Sequence, residues 1–301
     1  MKEIKFDSRI PDEVVRNEII NEIMCNYDFF NYGLLSKSTC GREINYIQIG
    51  DRENMVLLSA GFHGMEWLTT LLLLKFTNEI GKCLKTGQTI AGINISEFLQ
   101  NRGIMIVPCV NPDGTEISIN GYKSACKYSN LVKRVSGGNT DNWQANARGV
   151  DINHNFNAGW HELHKLEQKS NINCPGPTRY GGEYPESEIE TKAITNLCRN
   201  TYFRHAIAFH SQGEEIYWQY GDDMSEKSEL IAKVLSISSK YKMAQPEGLA
   251  IGGGFKDWFI KEFKRPGLTI EIGKGKNPLP LSDFNDIYNR LEEMLVLSVI
   301  I

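Results

Sequence analysis

Four short apolar runs constrain this chain most: Met55-Val-Leu-Leu-Ser, Ile104-Met-Ile-Val-Pro-Cys-Val, Ala206-Ile-Ala-Phe and Gly267-Leu-Thr-Ile-Glu-Ile. Each is too short for a buried helix and too continuously apolar for a strand with one wet face. Each therefore reads as an interior strand covered on both sides. A second apolar-rich segment, Ile44-Asn-Tyr-Ile-Gln-Ile-Gly, reads as a strand joined to the first run by the turn Asp51-Arg-Glu-Asn. Helical patterns over 68–80, 226–243, 255–264 and 282–299 alternate with the runs. Strands alternating with helices predict an α/β fold: a single domain with a central twisted mixed β-sheet flanked by helices. The chain has 301 residues, 41% of them apolar, enough to bury one large core.

Before that body, residues 11–25 carry Pro11 near their start, an acidic first turn and apolar residues at helical spacing. Residues 1–40 are accordingly expected to be a helical extension packed on a main domain of residues 41–301. The Asn-, Gly- and Ser-rich stretch 121–182 is the least regular part, and long irregular segments in compact enzymes commonly build sites. Asn111-Pro-Asp-Gly, after the second run, has the composition of a turn.

Composition excludes several function classes. A net charge of -4 without a basic block argues against a nucleic-acid partner. No stretch reaches the length of a membrane span, and the N-terminus lacks the apolar core of a secretion signal, so no membrane partner and a cytoplasmic location are expected. The seven cysteines are scattered without a C-x-x-C spacing and read as reduced thiols. Nothing in the sequence bears on oligomeric state.

Chemistry concentrates where the apolar runs end. His63 and Glu66, three apart, follow the first run and open a helix, so both can face one point. His210 ends the third run, at the carboxyl end of a strand, where open α/β sheets place their ligands. A catalytic zinc needs three such protein ligands and an open position. The rival pair His161-x-x-His164 lies on a charged helix without a strand end beside it, and His205, within the third strand, reads as structural.

In order, His63-x-x-Glu66, Gly149-Val-Asp-Ile-Asn-His-Asn-Phe, Ala208-Phe-His-Ser-Gln and Gly267-Leu-Thr-Ile-Glu-Ile-Gly resemble the motifs of the zinc carboxypeptidase family, over residues 40–300. Within it, His210-Ser-Gln-Gly-Glu-Glu-Ile-Tyr-Trp-Gln-Tyr-Gly, Gly253-Gly-Phe-Lys-Asp-Trp-Phe and Thr269-Ile-Glu-Ile-Gly-Lys-Gly-Lys-Asn-Pro-Leu-Pro are most similar to the bacterial branch that cuts the γ-D-glutamyl-meso-diaminopimelate bond of peptidoglycan stem peptides. The resemblance implies one Zn2+ per chain on His63, Glu66 and His210, and Glu271 as general base. It also implies an arginine on the oxyanion, for which Arg148 is the candidate and Arg134 the runner-up.

Departures from the family bear on substrate. Digestive members have Asn-Arg where this chain has Asn153-His154, so the arginine that clamps a C-terminal carboxylate is missing. Leu249 stands at the position of their capping tyrosine. Lys256 falls at the base of the leaving-group pocket, where it would favour an acidic side chain. Asn153, His154 and Lys256 are thus the expected substrate contacts, and a muropeptide or other small peptide the expected partner, in recycling or in a developing spore. A carboxypeptidase or amidase of altered specificity, or a silent wall-peptide binder on the same fold, are the competing readings.

Overall fold

The computed structural model describes residues 3–221 and 226–301; Met1 and Lys2 of the expected extension lie outside them. The strands are β1 (Asn31–Lys37), β2 (Glu43–Gly50), β3 (Met55–Ser59), β4 (Gly103–Val107), β5 (Phe203–Ser211), β6 (Glu215–Tyr217), β7 (Lys242–Ala244) and β8 (Gly267–Ile272). The helices are α1 (Glu13–Asn26), α2 (Leu68–Thr86), α3 (Pro112–Asn120), α4 (Ser129–Val135), α5 (Trp160–Lys169), α6 (Ile189–Asn200), α7 (Glu226–Ser239), α8 (Phe255–Phe263) and α9 (Phe284–Ile300). One mixed sheet runs in the order β1-β2-β4-β3-β5-β8-β6-β7, with parallel β4-β3-β5-β8 at its centre, antiparallel β1-β2, β2-β4 and β8-β6 pairs around it and a parallel β6-β7 pair at one edge. This is the α/β architecture expected.

Alternation of side chains along the central strands divides the core. Val56, Leu58, Ile104, Ile106, Ile207 and Phe209 point to the face packed by α1, α2, α7 and α9. Leu57, Met105, Val107, Ala206 and Ala208 point to the other, against Phe255, Trp258 and Phe259 of α8 and Ile194 of α6. Both faces are dry, which is why these strands read as unbroken apolar runs. His210 and Glu271 continue the second set at the carboxyl ends of β5 and β8, where they are in-register neighbours.

Strands β2 and β3 are joined by the turn at 51–54, as expected, and β4 lies between them in the sheet, antiparallel to one and parallel to the other. Three local expectations need correction. Asn111-Pro-Asp-Gly opens α3 instead of making a turn, with the Asn111 side chain accepting from the Gly114 N–H and Pro112 in the first helical turn. Residues before 41 contribute not only α1 but edge strand β1, antiparallel to β2. The thiols are not all reduced, because Cys40 and Cys126 form a disulfide, with Cα atoms 5.8 Å apart. Spacing along the chain could not show this pairing, since a buried carboxylate sets it up. Asp113 accepts from the Ser38 hydroxyl (2.7 Å), the Cys40 N–H (2.9 Å) and the Arg42 guanidinium (2.8 Å), while Arg42 also donates to the Ser124 carbonyl (3.1 Å). The β1–β2 turn is thereby docked on the segment that carries Cys126, and a structural disulfide removes the support that reduced thiols lent to a cytoplasmic location.

Candidate active site

Strand β3 hands the chain to a tight turn that aims two donors at one point. Its continuation is held by Ala60 N–H to Val107 O (3.0 Å) and Gly61 N–H to the Thr69 hydroxyl (3.1 Å). His63 then caps a 3₁₀ turn, Gly64–Glu66, that leads into α2. Gly64 and Met65 donate to the Gln144 and Trp143 carbonyls (3.0 and 2.9 Å), pinning the turn to the irregular segment. A Cβ on residue 64 would sit 2.2 Å from the Gly114 carbonyl oxygen, so only glycine fits there.

His63, Glu66 and His210 offer one ligand atom each, all within 4.8 Å of one another. Glu66 Oε1 is 2.8 Å from His63 Nδ1, Glu66 Oε2 is 3.0 Å from His210 Nδ1, and the two Nδ1 atoms are 3.3 Å apart. Tetrahedral zinc with bonds of about 2.0–2.2 Å spaces its donors about 3.3 Å from one another, so the set fits the ion. No other trio of His, Cys, Asp or Glu converges this way among the described residues, and the rival pair His161/His164 belongs to none. His205 is buried with Nε2 2.7 Å from the Ser298 carbonyl, a structural role.

Electrostatics prepare the same atoms. Asp151 Oδ1 lies 3.3 Å from His63 Nε2, the carboxylate-histidine arrangement that orients a ligand ring. Burial opposes charge on His63, yet the carboxylates of Glu66 and Asp151 raise its pKa well above the ordinary imidazole value. Against the same burial, the two histidines hold Glu66 down at about 2. His210 is shifted the other way, mainly by burial, which favours the neutral ring that binds metal. Phe62 stacks on it at 5.2 Å.

A cavity of about 410 Å³ opens beside this centre, lined by His63, Asp151, Asn153, His154, Lys256 and Glu271 among others. The Glu271 carboxylate makes no hydrogen bond among the described residues, and burial together with Glu66 and Glu215 pushes its pKa well above that of a free carboxylate. Asn153 Oδ1 accepts from the Phe255 N–H (3.0 Å), leaving its Nδ2 for a ligand. His154 is tethered by Nδ1 to buried Glu167 (2.8 Å). Lys256 is no solvated helix residue: it is buried, its ammonium donating to the Gln219 carbonyl (2.5 Å) and to Asp257. Leu249 also lines the cavity.

The arginines depart from expectation. Arg148 lines a different cavity of about 200 Å³, with Tyr128 and Tyr180, and faces Glu188 at 3.5 Å. Asn146 Oδ1 accepts from the N–H groups of Arg148 and Val150 (2.9 and 3.1 Å), and this turn, with Gly149 at φ +73°, delivers Asp151 to the site while leaving Arg148 outside. Arg134, exposed at the end of α4, lines neither cavity. The arginine that does line the active-site cavity is Arg179, which sequence reading missed. Its signal, a cation among turn formers in Pro175-Gly-Pro-Thr-Arg-Tyr-Gly-Gly, belongs to no strand or helix.

The family model described as zinc carboxypeptidase matches residues 27–294. Gamma-D-glutamyl-L-diamino acid endopeptidase 1 of Lysinibacillus sphaericus is 35% identical over 271 residues, 89% of this chain and 67% of that protein. Uncharacterized protein YqgT of Bacillus subtilis is 30% identical over 95% of this chain and 76% of its own. Among solved structures, bovine thrombin-activatable fibrinolysis inhibitor superposes with a TM-score of 0.76 at 20% identity, covering 98% of this chain and 97% of that one. With three zinc donors converging beside a half-buried glutamate, on a fold shared along 98% of the chain, the protein is a zinc metallopeptidase of the zinc carboxypeptidase family.

Proposed function

We propose that this peptidase hydrolyses the γ-D-glutamyl-meso-diaminopimelate bond of muropeptides. The observation that carries the reading is the cavity wall, which presents both charge signs: buried Lys256 and Asp257 as a pair, with Glu247 and Arg179 exposed nearby. A lysine alone would select an acidic side chain. A paired lysine and aspartate suit a group that is itself a zwitterion, and the distal centre of meso-diaminopimelate carries an ammonium beside a carboxylate. The name of the Lysinibacillus relative supports the same bond type.

His63, Glu66 and His210 would hold a zinc ion, which when bound would supply Lewis-acid polarisation of the scissile carbonyl and a water of lowered pKa, towards about 7. Glu271, without a competing hydrogen bond and with its proton affinity raised, takes the proton of the attacking water and returns it to the leaving nitrogen. Asp151 fixes the ring of His63, and Asn153 offers its amide to the leaving residue. The test compares γ-D-glutamyl-meso-diaminopimelate with its α-linked isomer and with a benzoyl dipeptide. The reading expects the γ-linked compound to have the highest kcat/KM; equal or better cleavage of the α-linked peptides would refute it.

A further inference from the structure

We infer that Arg179 holds the free α-carboxylate of the residue released by cleavage, so that the carboxylate clamp absent at His154 is supplied from another segment. This rests on the γ-glutamyl reading for the identity of that residue, but not for the clamp itself. Arg179 shares the cavity with Asn153, His154 and Glu271. Its guanidinium has no hydrogen bond, ion pair or aromatic partner among the described residues, whereas the other candidate cations of that wall are committed. His154 is held by Glu167, which also meets His164 Nδ1 (3.1 Å) and the Gly181 N–H (3.3 Å). The ammonium of Lys256 donates to Asp257 and a carbonyl, and in the γ-glutamyl reading that pair meets the distal zwitterion and not the α-carboxylate.

The backbone places this guanidinium on the leaving-group side. Arg179 donates its N–H to Asp151 Oδ2 (2.9 Å), and Tyr180 O accepts from the Asp151 N–H (2.8 Å). Gly181 O then accepts from Asn155 Nδ2 (2.7 Å), and a Cβ on Gly181 would meet the His154 carbonyl at 2.6 Å. Residues 179–181 thus run directly beside 151–155, the segment in which digestive relatives carry their clamp. Arg179 is held at φ +65°, a conformation unfavourable for any residue with a Cβ. The same Asp151 that fixes it also orients His63, so the clamp and a zinc ligand share one anchor. A guanidinium there can take a carboxylate by two parallel hydrogen bonds, which an ammonium cannot.

The consequence is a preference for leaving groups that end in a free carboxylate. The tripeptide L-Ala-γ-D-Glu-meso-diaminopimelate should be favoured over the same peptide amidated at that α-carboxyl. The experiment measures kcat and KM of the zinc-loaded protein and of Arg179→Ala and Arg179→Lys on the acid and the amide. A charge-assisted pair of this kind corresponds to about 10–100-fold in affinity. Arg179→Ala should raise KM for the acid by about that factor, leave kcat and the amide unchanged, and bring the acid/amide ratio near one, with Arg179→Lys in between. An unchanged ratio, or an equal loss of kcat on both compounds as for an oxyanion contact, would overturn the inference. Calorimetric binding of acid and amide to Glu271→Gln, with and without Arg179→Ala, gives the same comparison free of turnover. Should the wild type spare the γ-linked peptides and cut α-linked ones, the γ-glutamyl reading fails, while the acid/amide test of an α-linked dipeptide still decides the clamp.

Discussion

Glu271 and Glu190 are buried or half-buried carboxyls whose proton affinity is raised for different ends. Glu271 faces the cavity beside the candidate zinc donors, and Glu271→Gln keeps its shape while removing the proposed base. We expect zinc content to be retained and kcat to fall by about 10²–10⁴-fold; metal analysis and steady-state kinetics on one sample check both. Glu190 lines neither of the cavities described above: its Oε1 has no partner, Oε2 accepts from Asn146 at 3.2 Å, and burial, with Asp113 and Glu188 nearby, lifts its pKa from 4.5 to about 7. Between those values the folded chain keeps a proton that the unfolded chain has released, so stability falls as pH rises through that window. The full interval corresponds to about 3 kcal/mol. Glu190→Gln stays neutral throughout and should be more stable than the wild type by about 1–3 kcal/mol above pH 8, with the gain vanishing near pH 4, as urea unfolding at the two pH values would show. The convergence of His63, Glu66 and His210 was legible in the sequence because they stand at or just after the ends of apolar runs. Arg148 was misplaced because its direction depends on a turn built by Asn146 and Gly149, and no spacing encodes that.

Among elements, the central strands were legible and the edges were not. Strands β3, β4, β5 and most of β8 are buried on both faces, so their sequences are largely apolar. Strand β1 alternates only between exposed and half-buried residues, and β6 and β7 are three residues each, too short for a period. The turn between β3 and α2 matters most for function, since it carries two of three zinc donors on one glycine-dependent bend. Gly64→Ala forces its new methyl against the Gly114 and Trp143 carbonyls, 2.2 and 2.7 Å away. We expect a stability loss of about 1–3 kcal/mol and a zinc affinity weakened by about 10-fold or more as the first donors shift, read by thermal unfolding and by competition with a chelating dye.

At the scale of the whole molecule, the sheet separates support from chemistry. One face is closed by α1, α2, α7 and α9; the other carries α6, α8 and the irregular segment 121–182, and the site opens on it at the carboxyl ends of β3, β5 and β8. Strand β3 is where the order of strands reverses, with β4 on one side and β5 on the other, the place where open α/β sheets form their crevice. The Cys40–Cys126 disulfide ties the β1 edge to the segment after α3, two parts 86 residues apart. No helix of the described residues is long and apolar enough to cross a membrane. What joins these levels is the claim that one zinc centre, served by Glu271, cuts a γ-glutamyl bond. It is tested most directly by mass spectrometry of the products formed by the zinc-loaded protein from L-Ala-γ-D-Glu-meso-diaminopimelate. The account predicts L-Ala-D-Glu and free diaminopimelate, both lost on chelation; an intact tripeptide with zinc bound, or release of L-Ala alone, would contradict it.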